Sequence, residues 1–188
     1  MPTTTMMRIL DGPAARLSVD ATVAMHTEIY TEPQFRGVPY FAESAFRDRL
    51  AVGTRQSGFH LVLAETDDNI AAGCLYGWSL ASWTRWWTPL RDRLPAHVTD
   101  ETGSRTVFIQ EIMVRAAWRR QGIARRMHDA FLAGRTEERA LLCVQPDNEP
   151  ARSAYLRWGW RELASTRFTQ DGPVFDCFVK PLPGTPGR

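Results

Sequence analysis

Apolar residues recur at helical spacing through Val19–Tyr30, and the same period returns over 41–50 after a turn-rich stretch holding Pro33, Gly37 and Pro39. This predicts two helices joined by an exposed loop. Short apolar runs at 59–65 and 71–80 flank the turn residues Asp67, Asp68 and Asn69, the pattern of an antiparallel hairpin. Residues 82–104 follow no period and carry Trp83, Trp86, Trp87 and two prolines, so a long loop with one short helix over 89–94 is expected. From 107 to 114 apolar residues occupy both faces, as in a central strand. A helix over 123–134 follows, with Ile123, Met127, Ala130 and Phe131 as one stripe, and then an apolar strand at 140–145. Strand, helix and parallel strand make a right-handed crossover. Another helix over 150–158 is introduced by Asn148 as an N-cap and stopped by Gly159, and strands at 160–164 and 174–179 precede a loose end at 181–188.

Composition narrows the class. The 188 residues are 44% hydrophobic with no shift in character midway, which predicts one domain with one sizeable core. A net charge of +2 is too small for the phosphate-neutralising surface of a nucleic-acid binder. Lys180 is the sole lysine, so the positive charge is carried by arginine, a composition that GC-rich coding also produces. Cys74, Cys143 and Cys177 are an odd number, set far apart among apolar residues, which fits reduced core thiols and a cytoplasmic protein better than a disulfide frame. His26, His60, His97 and His128 share no metal-ligand spacing, so no metal is expected and each reads as a surface or satisfied core residue. The start of the chain lacks a basic region leading into an apolar core, and no run approaches a membrane span, so neither export nor membrane association is expected.

Between the central strand and its helix stands Arg119, Arg120, Gln121, Gly122, Ile123, Ala124. Gly122 and Ala124 remove bulk where the helix begins, so backbone N–H groups can approach an anion at the positive end of the helix dipole. Arg119, Arg120, Arg125 and Arg126 add charge for further phosphates, although a solvated basic face reads the same way.

These residues resemble the acetyl-CoA signature of the GNAT superfamily: Arg or Gln, two residues, Gly, one residue, then Gly or Ala. Arg119, Gly122 and Ala124 match it. Asn148, Ala151, Tyr155, Gly159 and Trp160 are similar to the family's later signature of Asn, small residue, Tyr, Gly and aromatic, at the expected distance downstream. The resemblance implies an α/β fold: a single GNAT-like domain over 1–182 and a loose tail at 183–188. Its central mixed, largely antiparallel sheet is flanked by helices and contains a parallel strand-helix-strand unit for acetyl-CoA. It implies that Ile112, Met113 and Val114 pair with the pantetheine arm. Arg119, Arg120, Gln121, Gly122, Ile123, Ala124 and Arg125 would hold the pyrophosphate, and Asn148 and Arg152 would contact the rest of CoA. It also places Tyr30, Glu32, Trp78, Trp83, Trp86 and Trp87 in segments that form the acceptor side.

The implied chemistry assigns two further roles. A free alkylamine with pKa about 10.4 is protonated at neutral pH, so a base must take its proton. Glu111 is the sole ionisable residue in 107–114, and burial would raise its pKa into that range, unless an arginine or backbone donors satisfy it. Tyr155 shares a helix face with Ala151, Ala154 and Trp158 and would protonate the departing CoA thiolate; the competing reading is a core aromatic. Asn148 serves equally well as a helix cap. The expected activity is transfer of an acetyl group from acetyl-CoA to a primary amine of a small molecule, with a peptide or protein acceptor less favoured. A non-catalytic acyl-CoA sensor is the alternative, and a homodimer is compatible with either.

Overall fold

The computed structural model describes residues 5–183. Its elements in chain order are β1 (Thr5–Leu10), α1 (Gly12–Arg16), α2 (Val19–Tyr30), α3 (Glu43–Gly53), β2 (His60–Thr66), β3 (Ala71–Ser79), α4 (Ala96–Thr99), β4 (Thr106–Val114), α5 (Ile123–Leu132), β5 (Arg139–Val144), α6 (Glu149–Arg157), β6 (Arg161–Thr166) and β7 (Phe175–Pro181). The strands are hydrogen-bonded in the order β1-β2-β3-β4-β5-β7-β6. The β4/β5 ladder is parallel, running from Thr106 opposite Arg139 to Ile109 opposite Leu142. The ladders β1/β2, β2/β3, β5/β7 and β6/β7 are antiparallel, so the sheet is mixed and largely antiparallel. Residues 184–188 of the expected tail lie outside the described residues.

The chain divides into two compact units, and β4 contributes to both. The first holds β1–β3, α1–α3, residues 110–114 of β4, and α5. Its core gathers Val23, Met25 and Ile29 from α2, Phe46 and Leu50 from α3, Leu61 and Leu63 from β2, and Cys74 and Tyr76 from β3. Gly73 permits a close backbone approach here, because a Cβ at that position would lie 2.6 Å from the Met113 carbonyl oxygen. Neither β1 nor α1 is visible in the hydrophobic pattern. Only Thr5 and Leu10 of β1 are buried, while Met6 and Ile9 face solvent, as an edge strand allows. Register with β2, the Arg8–Glu65 ion pair at 2.8 Å and Arg126 of α5 hold β1 in place.

The helix expected over 41–50 begins later, at Glu43, because Pro39–Phe41 closes as a separate 3-10 turn and Ala42 is extended. In the second unit, the helix expected over 89–94 is a 3-10 turn, Thr88–Leu90, and the α-turn comes after Pro95 as Ala96–Thr99. The capping prediction for α6 holds: the Ala151 N–H donates to Asn148 Oδ1 at 3.3 Å, and Gly159 adopts φ 83°. Trp87, Val107, Leu141, Trp160 and Phe178 are buried in this unit.

Candidate active site

Glu111 stands half-buried on β4, beside apolar Ile112 and buried Met113. Tyr30, the last residue of α2, donates its hydroxyl to Glu111 Oε1 at 2.7 Å. Desolvation pushes the Glu111 pKa up to about 7, against the lowering effects of the Tyr30 hydrogen bond and the Arg49 charge. Among the described residues the Tyr30 hydroxyl hydrogen-bonds this carboxylate, and the Arg49 charge acts on it as well. A carboxyl with this pKa is half ionised near neutrality, where a general base works best.

Tyr30 is held by a stack of rings. Its centroid lies 4.8 Å from Phe41 and 4.3 Å from His26, and His26 lies 3.9 Å from Phe46 on its other side. Burial, and then Arg49, push the His26 pKa down to about 4, so the imidazole is neutral. Neither of its ring nitrogens has a hydrogen-bond partner among the described residues, which corrects its reading as a satisfied or surface histidine. The role of this histidine as an aromatic spacer was missed, although its i,i+4 spacing to Tyr30 on one helix face was available in the sequence.

The turn after β4 enters α5 through Arg120 at φ 62° and Gly122 at φ 75°. A Cβ on Gly122 would meet nothing within 4 Å, so the space before the turn is open. The Arg126 N–H bonds the Gly122 carbonyl at 3.0 Å and starts the helical ladder. The N–H groups of Ile123, Ala124 and Arg125 therefore lack helical acceptors and sit at the positive end of the dipole. These backbone donors and the open cradle fit a phosphate group.

The arginine side chains are more committed than the sequence suggests. Arg119 donates through Nε to the Val114 carbonyl at 3.0 Å, and its fork holds Glu32 at 2.6 and 3.3 Å. Glu32, expected on the acceptor side, is therefore the partner of a turn arginine. Arg125 pairs with Asp129 at 2.7 Å, and Gln121 donates to the Ala117 carbonyl at 3.2 Å. Arg126 is no mobile phosphate ligand, since it donates to the Thr5 hydroxyl and carbonyl. Arg120 remains exposed at the turn.

A groove of about 610 Å³ opens between the end of α2 and the segment leading into α3. Tyr30, Phe35 and Phe41 supply its aromatic wall, and Thr27, Thr31 and Glu43 supply polar groups. Tyr30 thus faces the groove and also touches Glu111. The tryptophans expected on the acceptor side have different surroundings. Trp78 packs on Tyr76 and covers Gly53 in the first unit. In the second unit Trp87 is fully buried, with Nε1 donating to Glu101 at 2.9 Å, so it is core and cannot line an open site. Trp86 packs between Trp87, Phe108 and Phe168, and Trp83 stands 84% exposed.

On α6 Tyr155 is buried, with Trp158, Trp160 and Phe178 at centroid distances of 5.7, 6.2 and 6.3 Å. This ring packing fixes its side chain on the inner face of the helix. Arg152, expected to contact CoA, is tied to Asp176 and to Glu162, the latter at 3.0 Å. Asp176 is itself buried, so leaving it without its arginine would be costly, and Arg152 is an internal ion-pair partner instead.

An open glycine turn at a helix start, the parallel β4/β5 ladder and a half-buried carboxyl of near-neutral pKa are the features expected of an acyl-group transferase of the α/β class. The model of the acetyltransferase (GNAT) family matches residues 23–160, and the chain belongs to that family and is an acyltransferase. Arabidopsis thaliana NAA60 in complex with a bisubstrate analogue has a similar fold, with 17% identity, TM-score 0.65, and coverage of 97% of this chain and 100% of that one. A GNAT-family acetyltransferase from Staphylococcus aureus Mu50 is similar over 94% of this chain and 99% of that one, with 11% identity and TM-score 0.66. Nourseothricin acetyltransferase is 20% identical with TM-score 0.51, and the match spans 66% of each chain. No curated protein matches the chain by sequence. No helix among the described residues is long and apolar enough to cross a membrane.

Proposed function

We propose that the enzyme transfers an acetyl group directly from acetyl-CoA to a primary amine of a small, partly apolar molecule. The observation that carries this reading is the Tyr30–Glu111 pair, whose tyrosine faces an aromatic groove and whose carboxyl titrates near pH 7. Acetyl-CoA supplies the activated thioester. The first-turn N–H groups after Gly122 bind its pyrophosphate, assisted by the exposed Arg120 while Arg119 braces the turn through Val114 and Glu32, and the backbone of Ile112, Met113 and Val114 receives the pantetheine arm. Glu111 accepts the proton of the amine, directly or through water. Backbone N–H donation around Val114 stabilises negative charge developing on the carbonyl oxygen. Tyr155 donates its hydroxyl proton to the departing sulfur. Alignment of thioester and amine supplies much of the remaining acceleration.

Release of free CoA with a panel of amines tests the reading against an acyl-CoA sensor. A sensor binds acetyl-CoA and releases none above the hydrolytic background. The acceptor groove is tested through Tyr30→Phe, which deletes the hydroxyl that favours ionised Glu111. The Glu111 pKa then rises, so the acidic limb of the kcat/KM profile moves to higher pH. An unmoved limb would separate Glu111 from the observed titration.

The phosphate turn has its own test. Gly122→Val places a β-branched residue at φ 75°, where L side chains are strained, and fills the open cradle. Affinity for acetyl-CoA measured by calorimetry is expected to fall more than about tenfold, the loss of 1.4 kcal/mol or more of phosphate contacts. Unchanged affinity in a variant with a wild-type circular dichroism spectrum would remove the turn from the binding site.

A further inference from the structure

The antiparallel β5/β7 ladder sets Cys143 directly opposite Cys177, with Leu142 opposite Phe178 and Val144 opposite Asp176 on either side. Cysteines 34 positions apart in sequence thereby become cross-strand neighbours, with their sulfur atoms 3.2 Å apart as free thiols. The expectation that all three cysteines are remote from one another therefore holds only for Cys74, which lies buried in the other unit. Directly opposed residues in an antiparallel pair have Cα atoms about 4.5–5.5 Å apart, inside the range of about 4.4–6.8 Å that a disulfide spans. The ladder on both sides holds this spacing, so bond formation needs only small side-chain rotations. Cys177 is fully buried while Cys143 keeps partial exposure, which makes Cys143 the thiol that a small oxidant reaches.

We propose that Cys143 and Cys177 form an oxidative modification site, closing to a cross-strand disulfide when a hydroperoxide withdraws two electrons from the pair. The Cys143 thiolate attacks the peroxide oxygen, breaks the O–O bond and becomes a sulfenic acid, with release of water or an alcohol. The Cys177 sulfur then attacks the sulfenic sulfur, and the departing hydroxide takes the Cys177 proton as water. Two thiol hydrogens and two electrons thus reduce one peroxide, and the S–S bond is the oxidised product. Burial, and then Cys177 itself, hold the Cys143 thiol well above its ordinary pKa, so the first step accelerates as pH rises. The disulfide closes a loop containing all of α6 and β6 and restricts that segment in the unfolded chain.

The test treats the reduced, folded full-length protein with hydrogen peroxide, denatures it and counts thiols by alkylation and mass spectrometry. The expected result is one remaining alkylated cysteine, Cys74, a peptide joining Cys143 to Cys177, and full recovery of three thiols with dithiothreitol. The unfolding midpoint of the oxidised protein should rise by several degrees, and the cross-linking rate should increase between pH 7 and pH 9. Cys74→Ser should leave the cross-link intact, and Cys177→Ala should replace it with a sulfenic acid trapped at Cys143. Three alkylatable thiols after oxidation, a bond involving Cys74, or a link only between two chains would overturn the proposal. The wild-type thiol map alone decides this, even where a cysteine variant folds poorly.

Discussion

Replacement of Glu111 by Gln is expected to lower turnover of an alkylamine by about 10²–10³-fold at pH 7, within the range for a lost general base. The size follows from the acceptor. At pH 7 an amine of pKa about 10.4 is neutral in roughly one molecule in a few thousand, and without Glu111 the enzyme must wait for that fraction. Below pH 7 the wild-type base becomes protonated as the neutral amine becomes scarcer, so the ratio of wild-type to variant rates stays nearly constant. Above pH 7 the base is fully ionised while solution delivers neutral amine, and the ratio should shrink by about tenfold per pH unit. A weakly basic aniline should lose far less activity at every pH. Steady-state profiles with the two acceptor classes check this. An equal loss for both would make Glu111 a structural residue, and the Tyr30 hydrogen bond would then be an element of packing.

Tyr155→Phe is the second large effect. The substitution retains the ring that packs on Trp158, Trp160 and Phe178 and deletes only the hydroxyl. Acetyl-CoA affinity should therefore change little. If the hydroxyl protonates the leaving sulfur, kcat should fall by on the order of 10²-fold or more. A hydroxyl engaged only in packing would instead contribute about 1 kcal/mol to stability through one hydrogen bond and leave the chemical step intact. Measurement of kcat and unfolding free energy on one preparation separates the two outcomes. Single-turnover rates are needed beside steady-state ones, because slow product release would conceal a change in chemistry.

The interaction between Glu32 and Arg119 shows how local reading and tertiary structure diverge. Arg119 is a signature position of the turn, and Glu32 lies 87 residues earlier in an irregular segment. Their assignment to donor and acceptor sides followed from the family resemblance, since chain order carries no information about which distant charges meet. Arg152 diverges for the same reason: the helix and its face were readable, but the buried Asp176 that occupies the guanidinium comes from β7. Trp87 also belongs here. Its neighbourhood of tryptophans was compatible with a binding wall or with core filler, and the core of its unit and the Glu101 carboxylate claim it.

The sequence by itself determined most elements, because helical and strand periods, the Asn148 cap and the glycine turns are local properties set by sterics and by which side chains avoid water. It also determined the glycine turn before α5, whose free backbone donors depend on Gly122 and the helix start and on little else. Glu111 was legible as the one ionisable residue in an apolar strand. Only the tertiary structure decided what surrounds these features. It placed Tyr30 on Glu111, inserted neutral His26 between two rings, gave β1 its register, and set Cys143 against Cys177. Each of these depends on contacts between segments far apart in the chain, and their partners are selected by the packing of the whole unit, which no local pattern encodes.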